Sequence, residues 1–308
     1  MIDSLQKFMF ENSNARGELV ELTQTWHDVL KNHDYPTPVR NLLGEMLAAA
    51  TLLSANLKFD GTLIMQIHGD GPVRLCVVEC KANLQMRATA KLAPDAIIPD
   101  DISLNEMVHA NGNGRFVITL DPNNKVPGQQ AYQGIVPLTG ENFAAVIENY
   151  MLRSEQLDTK LWLAADGQVA RGLLLQKLPN IGGNVVAIDE DAEHWNHLVM
   201  LGNTLKTEEL LSTDSMTLLH RLFWEETVRV FDPQHPSFHC SCSREKVGDM
   251  LKMLGQAEVD DALQELGNIE VNCDFCAQAY RFDAVDCSQL FTAETIVDAV
   301  ITPSHSKH

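Results

Sequence analysis

Four of the seven cysteines in this 308-residue chain lie in two close pairs near its C-terminus. Cys240 and Cys242 are separated by one residue, Cys273 and Cys276 by two, and 30 residues lie between the pairs. A tight turn between paired cysteines aims both sulfurs at one ion, and zinc binds four thiolates tetrahedrally. The spacing therefore favours a zinc site, although the same thiols could form two disulfides or a device that switches between the two states.

The stretch between the two pairs can bring them together. Ser243 is placed to cap a helix over REKVGDMLKML that ends at Gly255, and AEVDDALQEL forms a second helix that ends at Gly267. Four thiolates would close the coordination sphere, so a catalytic zinc with bound water is not indicated. Thiolates are also the nucleophiles in oxidation, and a sulfenic acid beside a second thiolate can close to a disulfide. The pattern therefore suits a structural clamp or a redox trigger.

Charge and composition limit the partners of the chain. It carries 42 acidic and 23 basic residues, a formal net charge of -19, which repels nucleic acid and anionic membranes. No stretch approaches the roughly 18 apolar residues of a membrane span. The first residues lack the basic and then apolar order of a signal peptide. We therefore expect a cytoplasmic protein, in a compartment where thiols are kept reduced, that binds neither nucleic acid nor membrane.

The rest of the chain must position the cysteines, and its first part, residues 1–178, is expected to form an α+β core domain. Short apolar strands between turn residues predict an antiparallel sheet, and helices with apolar residues at helical spacing are expected on one side of it. The clearest helix begins at Thr37, a residue suited to capping, with Pro38 at the first helical position. A second helix is expected to open at Thr139.

Three further segments follow the core. The composition changes at Leu178-Pro179. Gly182-Gly183 follow, and these glycines also disfavour a regular helix or strand. Short helical patterns separated by helix-breaking residues predict a helical linker over residues 179–231. Its helices are expected to depend on their neighbours for stability. Residues 232–288 form a small module with the four cysteines, and residues 289–308 form a C-terminal tail.

Nearly the whole chain resembles the thirty-three-kilodalton heat-shock protein family, which consists of redox-regulated bacterial chaperones also called thirty-three-kilodalton chaperonins. The four-cysteine signature with its gap near 30 residues is typical of that family. The other matching segments follow in family order and are ARGELVEL, NHDYPTPVRNLLGEMLAAATLLSANLKFDG, GDGPVRL, YQGIVPLTGE, SEQLDTKLWLA and GLLLQKLP.

This resemblance implies a holdase, a chaperone without enzymatic activity that binds unfolding client proteins independently of ATP. It implies that the reduced form, with one zinc on the four cysteines, is inactive. Oxidation under unfolding conditions would link Cys240 to Cys242 and Cys273 to Cys276, release zinc and unfold the linker. The active form would often be a homodimer, and clients would pass to an ATP-driven foldase after reduction. The sequence has no GxxxxGK[ST] phosphate loop, which agrees with ATP independence.

Apolar residues of the linker are expected to bind clients once they are exposed. The candidates are Trp195, Leu218, Leu219, Leu222 and Phe223. In the resting state the same residues would pack the linker onto the core, because a switch needs this surface covered in one of its states.

Two other functions stay open on the residues alone. The chain could be a zinc-stabilised regulatory or adaptor protein that binds a specific folded partner. It could also be a thiol oxidoreductase, although such enzymes need only one Cys-x-x-Cys pair on a thioredoxin-like fold. Among the remaining candidates, Cys287 is interpreted as a packed thiol, and so are Cys76 and Cys80 in a predicted strand. His235 and His239 lie close to Cys240 in the sequence, and either could replace one of the thiolate ligands of the metal.

Overall fold

The computed structural model describes residues 3–57, 60–125, 130–179 and 188–291, which fall into two compact units. The first unit is Met1–His239 and the second begins at Cys240. The predicted α+β class is confirmed, because both units combine helices with antiparallel strands. The division into core, linker, module and tail stays a prediction. The break at Gly182-Gly183 lies outside the described residues, and so does the tail from residue 292 onward.

Two sheets, instead of the single expected one, form the framework of the first unit. Its described strands are β1 (Ser4–Phe10), β2 (Ala15–Leu22), β3 (Gly61–His68), β4 (Val73–Lys81), β5 (Gln85–Leu92), β6 (Arg115–Pro122), β7 (Tyr132–Val136), β8 (Thr159–Ala165), β9 (Ala170–Lys177), β10 (Val228–Val230) and β11 (Ser237–Phe238). The five-stranded sheet has the order β10-β1-β2-β9-β8, and the six-stranded sheet has the order β11-β5-β4-β3-β6-β7. Neighbouring strands are antiparallel except that β11 runs parallel to β5.

Helices cover these sheets. Those described in the first unit are α1 (Gln24–Leu30), α2 (Thr37–Ser54), α3 (Leu104–Val108), α4 (Phe143–Tyr150), α5 (Ile188–Gly202), α6 (Thr207–Ser212) and α7 (Ser215–Leu222), with a π-helical turn (Met151–Glu155) after α4. None of the helices in the described part of the chain combines the length and apolarity that crossing a membrane requires.

Two helix starts differ from the expectation. Thr37 does not cap α2, because the capping position is Pro36 and Thr37 is already helical. The helix α4 begins after Asn142, three residues beyond the expected Thr139, and the Asn142 side chain accepts a hydrogen bond of 2.9 Å from the Ala145 N–H. Asparagine satisfies one of the free N–H groups of the first turn, and this fixes the start of the helix.

The helix α2 is the centre of the first unit. It contacts strands of both sheets, and 13 of its 18 residues are buried. Gly44 allows a close approach to the five-stranded sheet, because a Cβ atom there would lie only 2.4 Å from the Cβ of Ala165. Apolar residues of α2 and of the facing strands form one continuous core, whose burial is the main favourable term in folding.

The opposite face of the five-stranded sheet is covered by α5, α6 and α7. Side chains alternate between the two faces of a strand, so Leu174 of β9 joins the α2 core while Leu173 and Leu175 join a second apolar cluster. This second cluster contains Phe8 and Phe10 of β1 together with residues of the three helices. We call α5 to α7 the outer layer. Because the outer layer packs on one face of the five-stranded sheet and α2 on the other, both faces of this sheet are apolar.

The second unit is small. It contains α8 (Arg244–Leu254), α9 (Gln256–Leu266) and a hairpin of β12 (Ile269–Asn272) and β13 (Ala279–Phe282). Ser243 caps α8 as predicted, and its hydroxyl accepts a 3.2 Å hydrogen bond from the Lys246 N–H. Gly255 and Gly267 end the two helices at positive φ angles of 94° and 75°, where glycine is favoured. The return path that the sequence predicts between the cysteine pairs is therefore present.

Candidate metal centre

The structure brings the four predicted ligands together in the second unit. The sulfurs of Cys240, Cys242, Cys273 and Cys276 all lie within 4.8 Å of one another. The Cys240 and Cys273 sulfurs are 3.7 Å apart, and those of Cys242 and Cys276 are 3.4 Å apart. A regular tetrahedron with zinc–sulfur arms of about 2.3 Å has edges of about 3.8 Å. The geometry therefore fits one metal ion at the centre of the four sulfurs.

Each cysteine pair is positioned by local backbone structure. Cys240 and Cys242 lie in the irregular stretch just before α8. Cys273 and Cys276 lie in the turn of the β12–β13 hairpin, where the Ala277 N–H donates to the Cys273 carbonyl at 2.8 Å. Ala277 has a positive φ of 55°, a left-handed conformation that closes the turn tightly. Backbone N–H groups of Phe275 and Cys276 also donate to the Cys273 sulfur, which favours its thiolate form.

A cation would be needed to hold all four cysteines of the cluster as thiolates. Burial raises the pKa of Cys273 and of Cys276, and the neighbouring sulfurs act in the same direction. Four thiolates at these distances repel one another, and a divalent metal offsets that repulsion. Soft thiolate ligands in a tetrahedral set are the donors that zinc takes in structural sites. The donor set therefore fits zinc, and it leaves no open position for a catalytic water.

The other candidate ligands lie elsewhere. Within the described residues, the four cysteines are the one group of this kind that could hold a metal. Cys76 and Cys80 are fully buried in β4, where burial raises the pKa of both thiols to about 12. Cys287 is buried in the apolar core of the second unit, as expected of a packed thiol. His235 belongs to the first unit, where its Nδ1 lies 3.0 Å from the Asp3 carbonyl oxygen.

The candidate client-binding residues are all buried in the second apolar cluster. Exposed fractions are 8% for Trp195, 1% for Leu218, 4% for Leu219, 7% for Leu222 and 2% for Phe223. The Phe223 ring packs edge-on against Phe10 at a centroid distance of 5.1 Å. The outer layer therefore hides this surface against β1, β2, β8 and β9.

A buried ion pair under the outer layer was not predicted. Arg171 of β9 contacts Glu21 of β2 with an Nη2–Oε2 distance of 2.8 Å, and both side chains are buried. The same guanidinium donates to the carbonyl oxygens of Leu210, at 3.2 Å, and Thr213 at the end of α6. The signal in the sequence is weak, because β2 also carries Arg16 and Glu18 and β9 also carries Lys177. Arg171 thus joins the sheet directly to the outer layer.

The amino-acid sequence of the chain is similar to that of known proteins. The Hsp33 protein family matches residues 3–283 of the chain. A 33 kDa chaperonin of Methylobacillus flagellatus is 48% identical over 296 residues, which is 96% of each chain. A 33 kDa chaperonin of Chromobacterium violaceum is also 48% identical, over 297 residues and 96% of each chain. One of Pseudomonas aeruginosa is 47% identical over 290 residues, or 94% of each chain.

A solved structure agrees with the fold. The crystal structure of a 33 kDa chaperonin from Thermotoga maritima superposes with a TM-score of 0.75. The superposition covers 95% of this chain and 99% of the other, at 20% sequence identity. At that identity the likeness concerns the fold alone.

Proposed function

The chain belongs to the Hsp33 protein family, and from this membership we propose that it is a molecular chaperone switched on by oxidation. In its active state it binds unfolding proteins without ATP and prevents their aggregation, and this holding activity needs no enzymatic step. The observation that carries the proposal is the cluster of four cysteine sulfurs within 4.8 Å of one another. This cluster is a metal clamp built from residues that an oxidant can convert to disulfides.

The clamp joins two short stretches of chain. When bound, zinc would hold the four sulfurs as thiolates and tie Cys240 and Cys242 to the hairpin turn with Cys273 and Cys276. An oxidant such as a peroxide converts one thiolate to a sulfenic acid, and the peroxide O–O bond breaks. A second thiolate then attacks that sulfur, a disulfide forms and hydroxide leaves.

We propose pairing between neighbours in the sequence, Cys240 with Cys242 and Cys273 with Cys276. In the folded cluster the cross-pairs, Cys240 with Cys273 and Cys242 with Cys276, are also near, with sulfur–sulfur distances of 3.7 Å and 3.4 Å. These cross-pairs stay near only while both stretches remain folded around the clamp. Each thiol keeps its sequence neighbour within reach in any conformation, so the local disulfides are favoured once the clamp opens.

Local disulfides cannot replace the clamp. They close loops of a few residues, which constrain an unfolded chain far less than a link between Cys240 and Cys273 would. Among residues 240–291, the described part of the second unit, only five apolar residues are buried in its core, so loss of the clamp should unfold it. We propose that the outer layer then leaves the sheet and exposes Trp195, Leu222 and their neighbours to clients.

The remaining parts of the proposal follow the family. Oxidised chains form homodimers, and they pass their clients to an ATP-driven foldase after reduction. The compartment is the cytoplasm, where reduced thiols keep the chaperone in its resting state. The predicted segments 1–178, 179–231, 232–288 and 289–308 serve as stable core, releasable layer, sensor and tail.

An aggregation assay tests this function. Light scattering of a heat-unfolding reporter enzyme is followed with reduced zinc-loaded protein, with peroxide-treated protein and with treated protein that has been reduced again. We expect suppression of scattering only in the oxidised sample. A Cys287→Ala variant should switch normally, because it removes a thiol outside the cluster. Oxidised protein that carries both local disulfides but leaves aggregation unchanged would refute the proposal.

A further inference from the structure

A cavity beside the five-stranded sheet has no part in the proposed switch. It has a volume of about 310 Å³ and lies along β8, the outermost strand of that sheet. Its lining combines Glu45 of α2, Trp162 and Leu163 of β8, and Leu205 and Leu210 of the outer layer. Engineered cavities of about 150 Å³ bind benzene, so this cavity has room for a small organic molecule.

The Glu45 carboxyl in this cavity has no partner. In the described part of the chain, neither a hydrogen-bond donor nor a cationic side chain contacts it. Burial by itself raises the pKa of this carboxyl to about 7, as expected of a carboxylate whose charge no neighbour compensates. Lys206 also lines the cavity, but it is exposed and forms no ion pair with Glu45. By contrast, Glu148 beside the same strand is paired with Lys160 at 2.6 Å.

The free edge of β8 adds a hydrogen-bond acceptor. The Leu161 N–H points away from β9, because it donates to Glu148 Oε1 at 2.9 Å. Residues two apart in an antiparallel strand direct their backbone groups to the same side, and the pairing of β8 with β9 is regular from Thr159 to Ala165. The Leu163 carbonyl therefore also points outward, at the edge that borders the cavity. Trp162 contributes an indole, the ring that attracts ammonium groups most strongly.

We propose that this cavity binds a small primary amine with an apolar body, whose ammonium group pairs with Glu45 and donates to the Leu163 carbonyl. An ammonium group has three donors and no acceptor, which suits a carboxylate beside a carbonyl. The apolar body would contact Trp162, Leu205 and Leu210.

The position of the cavity gives such a ligand a regulatory effect. Glu45 and Trp162 belong to the core, whereas Leu205 and Leu210 belong to the outer layer, so the lining is complete only while the layer lies on the sheet. A ligand that binds one of two states stabilises that state by mass action. The amine would therefore hold the outer layer in place. This regulatory effect on client binding rests on the proposed function, whereas the binding of the amine does not.

Isothermal titration calorimetry of the reduced full chain at pH 8 tests the binding. Benzylamine is the probe, and benzyl alcohol and benzoate carry the same ring with a neutral and an anionic group. We expect saturable binding of benzylamine and at least about 10-fold weaker binding of the other two. Glu45→Gln should weaken benzylamine binding about 10-fold, because it removes a hydrogen bond to a charged group.

Glu141→Gln is the matched control. Glu141 is an exposed acid outside the lining, so its substitution should leave the binding of benzylamine unchanged. The control separates the site from the general attraction of cations to an acidic chain. Circular dichroism shows that both variants are folded before they are compared.

Hydrogen exchange of α6 in the reduced protein tests the effect on the outer layer. At a benzylamine concentration of about ten times its dissociation constant, exchange that requires release of the layer should slow about 10-fold. The same concentration should have little effect on Glu45→Gln. Equal binding of benzylamine and benzyl alcohol, or undiminished binding to Glu45→Gln, would overturn the assignment of the site. Saturating benzylamine that leaves α6 exchange unchanged would overturn the effect on the layer.

The outcomes are independent of the proposed function. All of these measurements use reduced protein and require neither oxidation nor a client. Failure of the oxidised protein to suppress aggregation would refute the proposed function and leave the amine site intact. Loss of the amine site in the measurements above would leave the oxidative switch intact.

Discussion

The two units differ in what holds them together. The first is built around α2, whose buried residues join strands of two sheets in one continuous apolar core. The core of the second, as far as the structure describes it, has five buried apolar residues, which are Leu251, Val259, Ile269, Phe282 and Cys287. Domains of about 60 residues are marginal without further support, whereas burial on the scale of the first unit is sufficient for a stable domain. The comparison indicates that the second unit, which we propose as the sensor, depends for its stability on more than apolar burial.

A second contrast lies within the first unit, between the two faces of the five-stranded sheet. One face packs against the 18-residue helix α2, and α4 also contacts β8. The other is covered by α5, α6 and α7, of 15, 6 and 8 residues. Isolated helices this short are marginal in water and depend on their packing. The outer layer is therefore suited to leave the sheet, while α2 is suited to stay.

The largest expected effect is that of removing the metal clamp. Structural zinc in small finger peptides supplies about 10–16 kcal/mol of apparent binding free energy, and a whole domain is typically stable by about 5–15 kcal/mol. We expect chelation or Cys273→Ser to unfold the second unit and leave the first folded. Zinc analysis together with circular dichroism measures this. Cys287→Ala is the control, and normal zinc retention in Cys273→Ser would contradict the ligand assignment.

Oxidation should affect the helices on the two faces of the five-stranded sheet differently. We expect hydrogen exchange to show loss of protection over residues 188–285 after peroxide treatment, while α2 and the six-stranded sheet keep theirs. The reason is that the core around α2 contains none of the four cluster cysteines. Retained protection over 188–285 in a sample that binds clients fully would show that activation proceeds in another way.

Sequence periodicity and spacing were sufficient for the features that depend on local chemistry. Strand alternation, the Ser243 cap and the glycine helix ends are local, and the four-cysteine spacing anticipates the cluster. The split into two sheets depends on long-range pairing, which a local pattern does not contain. Arg171 was missed for the same reason, because its partner Glu21 is 150 residues away in the chain.

The next largest effect concerns the ion pair of Arg171 and Glu21. Removing one partner of a buried pair leaves an uncompensated charge and typically costs about 3–5 kcal/mol. Arg171→Met also removes the donors to the end of α6, so we expect the outer layer to loosen without oxidant. Reduced Arg171→Met should then suppress aggregation in part.

Two variants sharpen this test. Glu21→Met added to Arg171→Met removes the unpaired charge and should recover part of the lost stability. Arg87→Met breaks a similar strand pair, Arg87 with Glu79 at 2.8 Å, in the six-stranded sheet. It should leave the reduced protein inactive. Equal activity of reduced Arg87→Met and Arg171→Met would mean that general destabilisation, and not the outer layer, controls client binding.

The smallest expected effect is a pH dependence that originates beneath the outer layer. Glu45 of α2 lines a cavity of about 310 Å³ together with Leu205 and Leu210 of the layer. Burial raises the pKa of its carboxyl from 4.5 to about 7. A raised pKa in the folded state means that the stabilising contribution is present below pH 4.5 and is lost as the pH rises through about 7. The first unit should therefore be more stable at pH 5.5 than at pH 8 on account of this group.

Glu45→Gln keeps the side chain neutral at every pH and so removes this dependence. One pKa unit corresponds to about 1.4 kcal/mol, and partial solvent access to Glu45 reduces the effect to about 1–2 kcal/mol at pH 8. We expect denaturant unfolding to show a flatter pH profile for Glu45→Gln and a higher stability at pH 8. Some slope should remain, because burial also raises the pKa of Glu18 to about 7. The exposed Glu141→Gln serves as control, and a Glu45→Gln profile as steep as that of the unmodified protein would show that Glu45 is ionised beneath the docked layer.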